Sequence, residues 1–451
     1  MSSNPASTID LEGSSRDGVP QAELGLVWLM GSPGGTPLSL DWGKSGELTI
    51  GRDADCAIRL TSTDVSRRHA TLHRSATESS LSVTDLGSRN GTRVNGHLVK
   101  TAHLQANDVL RVGGSVFVVA DRPARCEEIA PGLVGGAVLK RALSPLIQAA
   151  QSDLPIVLEG ETGTGKEVVT RAVHTWSART GPLVAVNCAA LPQGLAEGEL
   201  FGYRRGAFTG ADRASPGFFR SAEGGTLLLD EVSDLPLLLQ AKLLRALEQK
   251  EVQPLGEARP VPVDVRIVVA GQQSLLEAVR KQLFRDDLLA RLNGFSLLLP
   301  PLRQRREDIL PLFFHFMSEL RPGRVPEFEP DFIERLCLHD WPFNVRELLL
   351  LARRLAVLQA EEPVLRAQHL PAEMAEVKPE VKPAQPPQTN EPTQAVDLAL
   401  LVSALRTFGG NVTRAAAHVG ITRQRAYRLM SGQSVDLAAL AGKKRPKRPT
   451  R

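Results

Sequence analysis

Hydrophobic positions change their spacing along the chain and divide it into regions with different expected structures. Residues 1–22 are rich in Ser, Gly and Asp and have no apolar period, which is typical of a flexible lead-in. Over residues 23–121, short apolar stretches such as LTIG, LSVTDL and VFVV are separated by Gly, Asn, Asp and Ser turns. This rhythm predicts an all-β sandwich as the first folded domain.

A different pattern follows a short predicted linker at residues 122–131. Over residues 132–372, the apolar segments PIVLEG, LVAVN, GTLLLD and VRIVVAG alternate with helical periodicity, which predicts a parallel α/β sheet. The part of this region that follows Pro301 is mostly helical in pattern. Five prolines then interrupt residues 373–395 and predict a semi-rigid tether.

Composition adds bounds on the kind of protein. With 451 residues the chain is too long for one hydrophobic core, so several domains are expected. The four cysteines lack metal-ligand or redox spacing, and buried, reduced thiols are expected. No apolar run reaches the roughly 18–20 residues of a membrane helix, and no charged-then-apolar leader opens the chain. We therefore expect a cytoplasmic protein that does not contact a membrane.

The segment GETGTGKE lies between a predicted strand and a predicted helix, the context of a phosphate-binding loop. Its glycines allow backbone N–H groups to approach phosphates, and Lys166 can place its ammonium on the β and γ oxygens. A simple glycine-rich turn is the alternative. The predicted nucleotide-binding residues are Gly160, Glu161, Thr162, Gly163, Thr164, Gly165, Lys166 and Glu167.

Glu167 occupies the position where Ser or Thr would normally bind magnesium, so that ligand must come from elsewhere. The strand GGTLLLDEV ends in two adjacent carboxylates. Asp230 is expected to hold Mg²⁺, partly through water, and Glu231 to polarise the attacking water. Solvated acids at the end of a strand are the alternative.

Both segments resemble the AAA+ domain of sigma-54-dependent activators, also called bacterial enhancer-binding proteins. Between them, GAFTGA matches the loop that contacts sigma-54 in that family. The resemblance implies that ATP hydrolysis remodels sigma-54 RNA polymerase at promoters. A hairpin turn is the alternative for the loop, and an AAA+ remodeller of another protein is the alternative for the whole domain. The predicted contact residues are Gly206, Ala207, Phe208, Thr209, Gly210 and Ala211.

The resemblance assigns further roles across residues 131–371. It implies that Asn187 restrains the catalytic glutamate, that Arg285 and Arg291 are arginine fingers reaching a neighbouring subunit, and that Arg346 senses nucleotide from a helical lid. A homo-oligomeric, hexameric ring is then the expected active state. Surface salt bridges are the alternative role for the two fingers.

One departure from the family pattern concerns turnover. The family usually has Thr-Asn at the end of strand VRIVVAG, where this chain has Gly271 and Gln272. Gln272 can still reach the γ-phosphate or its water, but one added methylene can displace a catalytic contact. The alternative function is therefore a phosphopeptide-gated DNA-binding regulator whose ATPase is weak or absent.

Three blocks of the N-terminal region, IGR, SRRHA and DLGSRNGTRVNG, together resemble a forkhead-associated (FHA) domain. Arg52, Ser66 and Arg67 can bind phosphothreonine, while Asn90 and Asn95 would fix the peptide backbone. His69 is expected to hold loops together, and simple turn formation is the alternative for the polar residues. The phosphothreonine would belong to another protein or to this same chain.

Residues 396–432 contain two short helical patterns separated by Gly420, and this arrangement is typical of a helix-turn-helix. This segment resembles the Fis-type DNA-binding end of the same activator family, which implies binding to upstream enhancer-like sites. A packed helical hairpin is the alternative. Residues 433–451 form a basic tail that is either a solvated end or adds nonspecific affinity for phosphates. The predicted DNA-binding residues are Thr422, Arg423, Gln424, Arg425 and Arg428.

Overall fold

The computed structural model describes residues 24–375, except 31–34, 39, 41, 43–45, 75–79 and 193, together with Leu405 and Val412. Contacts divide the chain into two compact units, Met1–Lys378 and Pro379–Arg451. The predicted helix-turn-helix and its DNA-binding residues lie outside the described residues. Within the described ranges, none of the helices has the length and apolar character that a bilayer crossing requires.

The N-terminal part is a sandwich of two sheets, as its alternating pattern predicts. One sheet has the order β2-β1-β11-β10-β7-β8 and the other β4-β3-β5-β6-β9. Ile50, Leu72 and Phe117 are fully buried between them. The strands are β1 (Leu24–Trp28), β2 (Thr36–Leu38), β3 (Glu47–Gly51), β4 (Ile58–Arg59), β5 (Ala70–Arg74), β6 (Leu81–Asp85), β7 (Thr92–Val94), β8 (His97–Val99), β9 (Thr101–Leu104), β10 (Val109–Val112) and β11 (Ser115–Asp121).

The central part contains a five-stranded parallel sheet of order β15-β16-β19-β14-β20. The four predicted strands are confirmed as β14, β15, β16 and β19, and their carboxyl ends meet at one edge of the sheet, where ligands bind in open α/β sheets. The elements are β12 (Glu127–Ala130), β13 (Leu133–Gly135), α1 (Ala137–Ala150), β14 (Ile156–Glu159), α2 (Lys166–Trp176), β15 (Leu183–Asn187), α3 (Ala196–Phe201), α4 (Gly217–Ser221), β16 (Thr226–Asp230), α5 (Leu237–Gln249), β17 (Glu251–Val252), β18 (Val261–Pro262), β19 (Arg266–Gly271), α6 (Leu275–Arg280), α7 (Asp286–Leu292) and β20 (Phe295–Leu298).

A helical lid follows the sheet, which confirms the helical pattern predicted after Pro301. Its core is built on Phe313, Phe332 and Trp341, each fully buried. The indole N–H of Trp341 donates to the carbonyl of Leu336 at 3.0 Å. The elements are α8 (Ile309–Leu320), β21 (Glu327–Phe328), α9 (Pro330–Leu338), α10 (Asn344–Leu358), β22 (Val364–Leu365) and α11 (Ala372–Ala375), and short 3-10 helices occur at Cys188–Ala190, Val232–Asp234, Leu302–Gln304, Arg306–Asp308 and Ala367–His369.

The predicted linker at 122–131 is more ordered than its sequence indicates. It contains β12, which pairs antiparallel with β13, and the side chain of Cys126 is buried. A four-residue strand with the sequence EEIA is too short to show a period. All four cysteines are free and buried, as their spacing predicts.

Candidate functional site

The phosphate-binding loop connects the carboxyl end of β14 to the first residue of α2. Gly163 and Gly165 have backbone φ values of +78° and +105°, which residues other than glycine rarely adopt. A Cβ on Gly163 would also lie 2.1 Å from the carbonyl oxygen of Phe343. The glycines at these two positions therefore permit both the turn and the close approach of the lid.

Lys166 is the first residue of α2, directly after this loop, and is largely buried. Its ammonium donates to the carbonyl of Gly160 at 2.7 Å and to that of Glu161 at 3.3 Å. Burial lowers the pKa of Lys166, and Glu231 and Asp230 partly offset that lowering. The ammonium therefore occupies the centre of the loop, where phosphate oxygens would bind.

Asp230 is the last residue of β16 and Glu231 follows it, and both line the same cavity as Lys166. Burial raises the pKa of Asp230, the neighbouring Glu231 raises it further, and Lys166 opposes both effects. A divalent cation would relieve this repulsion. Carboxylate oxygens beside bound phosphates are the ligands that Mg²⁺ prefers, so the chemistry of the site fits that ion.

A cavity of about 840 Å³ brings most of the predicted nucleotide site together. It also has an apolar wall that the sequence did not reveal, formed by Leu283, Val345 and Leu349. Of the predicted loop residues, Gly160, Glu161 and Thr164 do not line this space. The predicted residues that do are Thr162, Gly163, Gly165, Lys166, Glu167, Asn187, Asp230, Glu231, Gln272 and Arg346.

Asn187 and Gln272 line the same cavity as Glu231. The side-chain oxygen of Asn187 accepts from the backbone N–H of Ala189 at 3.0 Å. The carboxylate of Glu231 accepts from the backbone N–H of Gln272 at 3.4 Å. Restraint of Glu231 by Asn187 until the nucleotide state changes stays a prediction, as does a contact of the Gln272 amide with the γ-phosphate or its water.

Neither predicted arginine finger lines the cavity of its own chain. Arg285 forms a two-point ion pair with Asp287, with Nε–Oδ1 and Nη2–Oδ2 distances of 3.0 and 2.7 Å. Arg291 donates to the carbonyl of Leu247 at 3.4 Å. The side chain of Arg285 is 40% exposed and is therefore accessible to another molecule.

The loop is fastened to the lid by residues that the sequence analysis did not single out. Arg303 pairs with the carboxylate of Glu161 at 2.7 and 2.5 Å. The buried amide of Asn344 donates to Glu161 at 3.2 Å and to the carbonyl of Thr162 at 3.0 Å. Asn344 has a φ of +52°, and it lies within the segment WPFNVREL, which carried the only signal for it.

The GAFTGA segment forms a compact loop between α3 and α4. The N–H of Gly206 donates to the carbonyl of Ala211 at 2.9 Å, and Gly206 and Gly210 have φ values of +78° and +98°. The Phe208 ring is 36% exposed and packs edge-on against Tyr203 with centroids 5.0 Å apart. The loop therefore presents an aromatic and the exposed Thr209 at its tip.

A second cavity, of about 540 Å³, lies at one end of the sandwich. It is lined by the predicted Arg52, Ser66 and Arg67, and also by Arg68 and Arg89, which the sequence analysis did not select. The hydroxyl of Ser66 accepts from the N–H of Arg89 at 3.1 Å. Four arginines, two aspartates and one serine hydroxyl are thus among the lining residues, and the excess of guanidiniums suits a phosphate dianion.

The loops around this cavity are held by buried polar groups. His69 is fully buried, accepts from the N–H of Ser66 at 3.2 Å and donates to the carbonyl of Gly91 at 3.1 Å. Its predicted role of holding loops together is confirmed. Asp85 accepts from the hydroxyls of Ser88 and Thr92 at 2.6 and 2.7 Å.

The two predicted asparagines differ in position. Asn90 donates to the carbonyl of Asp64, a residue of the cavity wall, at 2.8 Å. Neither asparagine is among the residues that line the cavity. The amide of Asn95 donates to Asp108 at 2.8 Å and accepts from the N–H of Val109 at 2.9 Å. Asn95 therefore holds a turn within the sandwich.

Comparisons with known proteins match these regions separately. A family model described as the sigma-54 interaction domain matches residues 134–298, an FHA domain model matches 48–113, and an AAA+ ATPase lid domain model matches 303–387. The transcriptional regulatory protein ZraR of Salmonella typhimurium is 41% identical over 303 residues, which cover 65% of this chain and 67% of that protein. The transcriptional regulator NtrC of Bradyrhizobium is 47% identical over 233 residues, covering 51% of this chain and 48% of that protein.

A solved structure extends the comparison to the fold. The crystal structure of NtrX from Brucella abortus in complex with ADP is 33% identical, with a TM-score of 0.50. The match covers 66% of this chain and 69% of that one.

Proposed function

This chain belongs to the sigma-54-dependent transcriptional activators, and on that premise we propose how its sites divide the work. It is an AAA+ ATPase that acts on sigma-54 RNA polymerase and carries an FHA domain for a phosphoprotein. The observation that carries the proposal is the single cavity shared by Lys166, Asp230 and Glu231. There, Lys166 binds the β- and γ-phosphates, and Glu231 orients the water that attacks the γ-phosphate. ATP and RNA polymerase both occur in the cytoplasm, which is the proposed location.

Mg²⁺ is the proposed metal, held by Asp230 partly through water. The ion would supply charge neutralisation between the β- and γ-phosphates. Support comes from the carboxylate pair, whose mutual repulsion raises the pKa of Asp230 beyond the effect of burial. The position after Lys166 cannot supply the usual hydroxyl, and Glu167 instead pairs with Arg171 at 2.7 Å.

We propose a homo-oligomeric ring, hexameric in the active state, in which Arg285 and Arg291 reach the neighbouring subunit's γ-phosphate. Their position outside their own cavity supports this proposal. The exposed GAFTGA tip would then contact sigma-54 in one nucleotide state and withdraw in another. Asn187, Gln272 and Arg346, which line the cavity, would report the nucleotide state to that tip.

The FHA cavity is proposed to bind phosphothreonine, with Arg52, Ser66 and Arg67 on the phosphate. The phosphorylated residue belongs to a separate protein or to this chain. An Arg52→Ala variant should lose at least about tenfold in affinity for a phosphothreonine peptide, because a charge-assisted contact to phosphate is removed. The matched control is Arg74→Ala, an exposed arginine on β5 outside the cavity. Equal affinity of the two variants would contradict the assignment.

Sequence-specific DNA binding through residues 396–432 is proposed from the helix-turn-helix pattern. Pairs of these elements would bind upstream enhancer-like sites and concentrate the ring near promoters. Removing residues 396–451 should abolish binding to such sites while leaving ATP hydrolysis measurable. Unchanged DNA affinity after the truncation would contradict this proposal.

The whole function is tested by ATP turnover against protein concentration for wild type and Glu231→Ala. Turnover per subunit should rise with concentration in wild type and stay at background in the variant, because hydrolysis requires both the ring and the catalytic carboxylate. Wild-type turnover at the variant's background at every concentration would instead support the phosphopeptide-gated DNA-binding regulator, motivated by Gly271 and Gln272.

A further inference from the structure

A charged cluster attaches the FHA sandwich to the lid, on the sheet of the sandwich that contains β10 and β11. Arg111 on β10 pairs with Glu334 at 2.8 Å and also with Asp331, both on helix α9. The side chains of Arg111 and Glu334 are only 17% and 6% exposed. We call these three residues the Arg111 clamp. A desolvated pair of this kind depends strongly on its partner, because removing one member leaves a buried charge uncompensated.

An apolar contact surrounds the clamp. Val116 and Val118 on β11 belong to the same buried cluster as Phe332, Ile333 and Leu336 of the lid. The neighbouring residues Phe117 and Val119 instead face the interior of the sandwich. One sheet of the FHA domain therefore contributes to two cores, and within the described part of the chain β11 and the lid share one buried cluster.

The clamp is connected to the phosphothreonine cavity by a short turn. The guanidinium Nε of Arg111 donates to the carbonyl of Gly113 at 3.0 Å, in the turn between β10 and β11. A Cβ on Gly113 would lie 2.7 Å from the carbonyl oxygen of Asp64. That same oxygen accepts from the amide of Asn90 at 2.8 Å, and Asp64 lines the cavity. The cavity wall thus touches the turn that orients Arg111.

The interface is also connected to the nucleotide loop. Asn107, in the turn between β9 and β10, donates to the carbonyl of Arg303 at 2.5 Å and accepts from the N–H of Arg306 at 2.8 Å. Arg303 in turn holds Glu161 of the phosphate-binding loop through its two-point ion pair. A shift of the sandwich relative to the lid would therefore move a residue that is bonded to that loop.

We infer that the FHA–lid interface, centred on the Arg111 clamp, transmits phosphopeptide occupancy to the ATP site. This inference rests on the proposed function of the FHA cavity and deepens it by naming the route of regulation. None of the three clamp residues lines the peptide cavity, so the peptide does not compete with the lid for the same side chains. Binding at Asp64 and Asn90 would instead alter the turn at Gly113, the clamp and then the position of the lid. The part of this coupling that acts on ATP affinity is reciprocal, and ATP would change peptide affinity by the same factor as peptide changes ATP affinity.

The test compares full-length wild type with Arg111→Met, which keeps an unbranched apolar side chain and removes the charge. The readout is the ratio of turnover with a saturating phosphothreonine peptide to turnover without it. Peptide affinity is measured by fluorescence anisotropy on the same samples. The matched control is Arg74→Met, an exposed arginine on the opposite sheet.

In wild type and in Arg74→Met the ratio should differ from one by about fivefold or more, the lower range of typical coupling. In Arg111→Met the ratio should approach one while the FHA domain still binds the peptide. If Arg111→Met binds the peptide and still shows the wild-type turnover ratio, the inference is overturned. It is also overturned if wild type binds the peptide and its turnover ratio is one. Failure of wild type to bind the peptide, or unchanged affinity in Arg52→Ala, would overturn the proposed FHA function and the inference with it.

A second variant guards against simple unfolding, since Arg111→Met leaves Glu334 buried without its partner. The triple variant Arg111→Met, Asp331→Asn, Glu334→Gln removes all three charges and leaves no buried unpaired ion. It should fold, hydrolyse ATP and give a ratio near one. A folded triple variant with the wild-type ratio would also overturn the inference.

Discussion

Replacing Arg285 by alanine distinguishes an arginine finger from a surface ion pair. Within its own chain Arg285 pairs with Asp287, and the two side chains are 40% and 43% exposed. Exposed pairs contribute little to stability, so loss of this pair alone should shift the thermal midpoint by less than about 3 °C. As a finger in trans, the same guanidinium would change kcat by about 10³-fold or more.

The assay measures kcat and thermal midpoint for Arg285→Ala and for Asp287→Ala. Asp287→Ala breaks the same ion pair but leaves the guanidinium available to a neighbouring subunit. We expect Arg285→Ala to lose about 10³-fold in kcat with a nearly unchanged midpoint, and Asp287→Ala to keep most of its turnover. Equal, small losses in the two variants would refute the assignment.

Mixing experiments add an independent check on the finger. Arg285→Ala subunits have an intact Lys166 and Glu231, whereas Glu231→Ala subunits have an intact Arg285. A mixture should therefore form some interfaces that contain every required group, and turnover should rise above that of either variant alone. A mixture no more active than its components would show that Arg285 does not act across subunits.

Three further predictions follow from single positions. Gly163→Ala should weaken ATP binding by about tenfold or more, measured by titration calorimetry, because φ is +78° and the new Cβ would meet the carbonyl of Phe343; unchanged affinity would contradict the close approach. Phe332→Ala should lower the free energy of unfolding by about 3–5 kcal/mol in urea, since the ring is fully buried; a change under about 1 kcal/mol would contradict the shared core. Burial pushes the pKa of Asp85 upward, but hydrogen bonds from Ser88 and Thr92 hold it below its ordinary value. The stabilising effect of the ionised Asp85 carboxylate is thus present at pH values above its pKa of about 3.9 in the unfolded chain. It is lost as the pH falls through the lower pKa of the folded state. Calorimetry at pH 7 should give a lower thermal midpoint for Asp85→Asn than for wild type. A difference between the two midpoints that did not shrink below about pH 4 would contradict this.

The parts of the sites that lie in continuous segments could be predicted from the sequence. The segment from Gly160 to Glu167 and the two acids at the end of β16 are recognisable because strand, loop and catalytic groups are adjacent in the chain. The blocks that contain Arg52 and Ser66 are recognisable for the same reason, because each is a short continuous segment. In each case the chemistry requires particular residue types at fixed spacing, and that spacing is visible in one dimension.

Contacts between distant segments could not be predicted in the same way. Arg111 and Glu334 are separated by 223 positions, and Arg303 and Glu161 by 142. A single ion pair across such a distance leaves no periodic signal. The apolar run in β11 did carry a hint, because a strand covered on both faces reads as continuously hydrophobic, but it does not reveal what covers the second face. A contact of Asn95 with the peptide backbone stays a prediction, because a turn asparagine and a binding asparagine look alike in sequence.

The most direct test of the central claim is the conversion of closed to open promoter complexes by sigma-54 RNA polymerase, followed with single-stranded DNA probes. Wild type with ATP should open the promoter, whereas Glu231→Ala, or wild type with a non-hydrolysable ATP analogue, should not. Thr209→Ala should hydrolyse ATP at a near wild-type rate and still fail to open it, because Thr209 lies at the exposed tip and not in the nucleotide cavity. Opening that proceeds without hydrolysis, or that is unaffected by Thr209→Ala, would contradict the account.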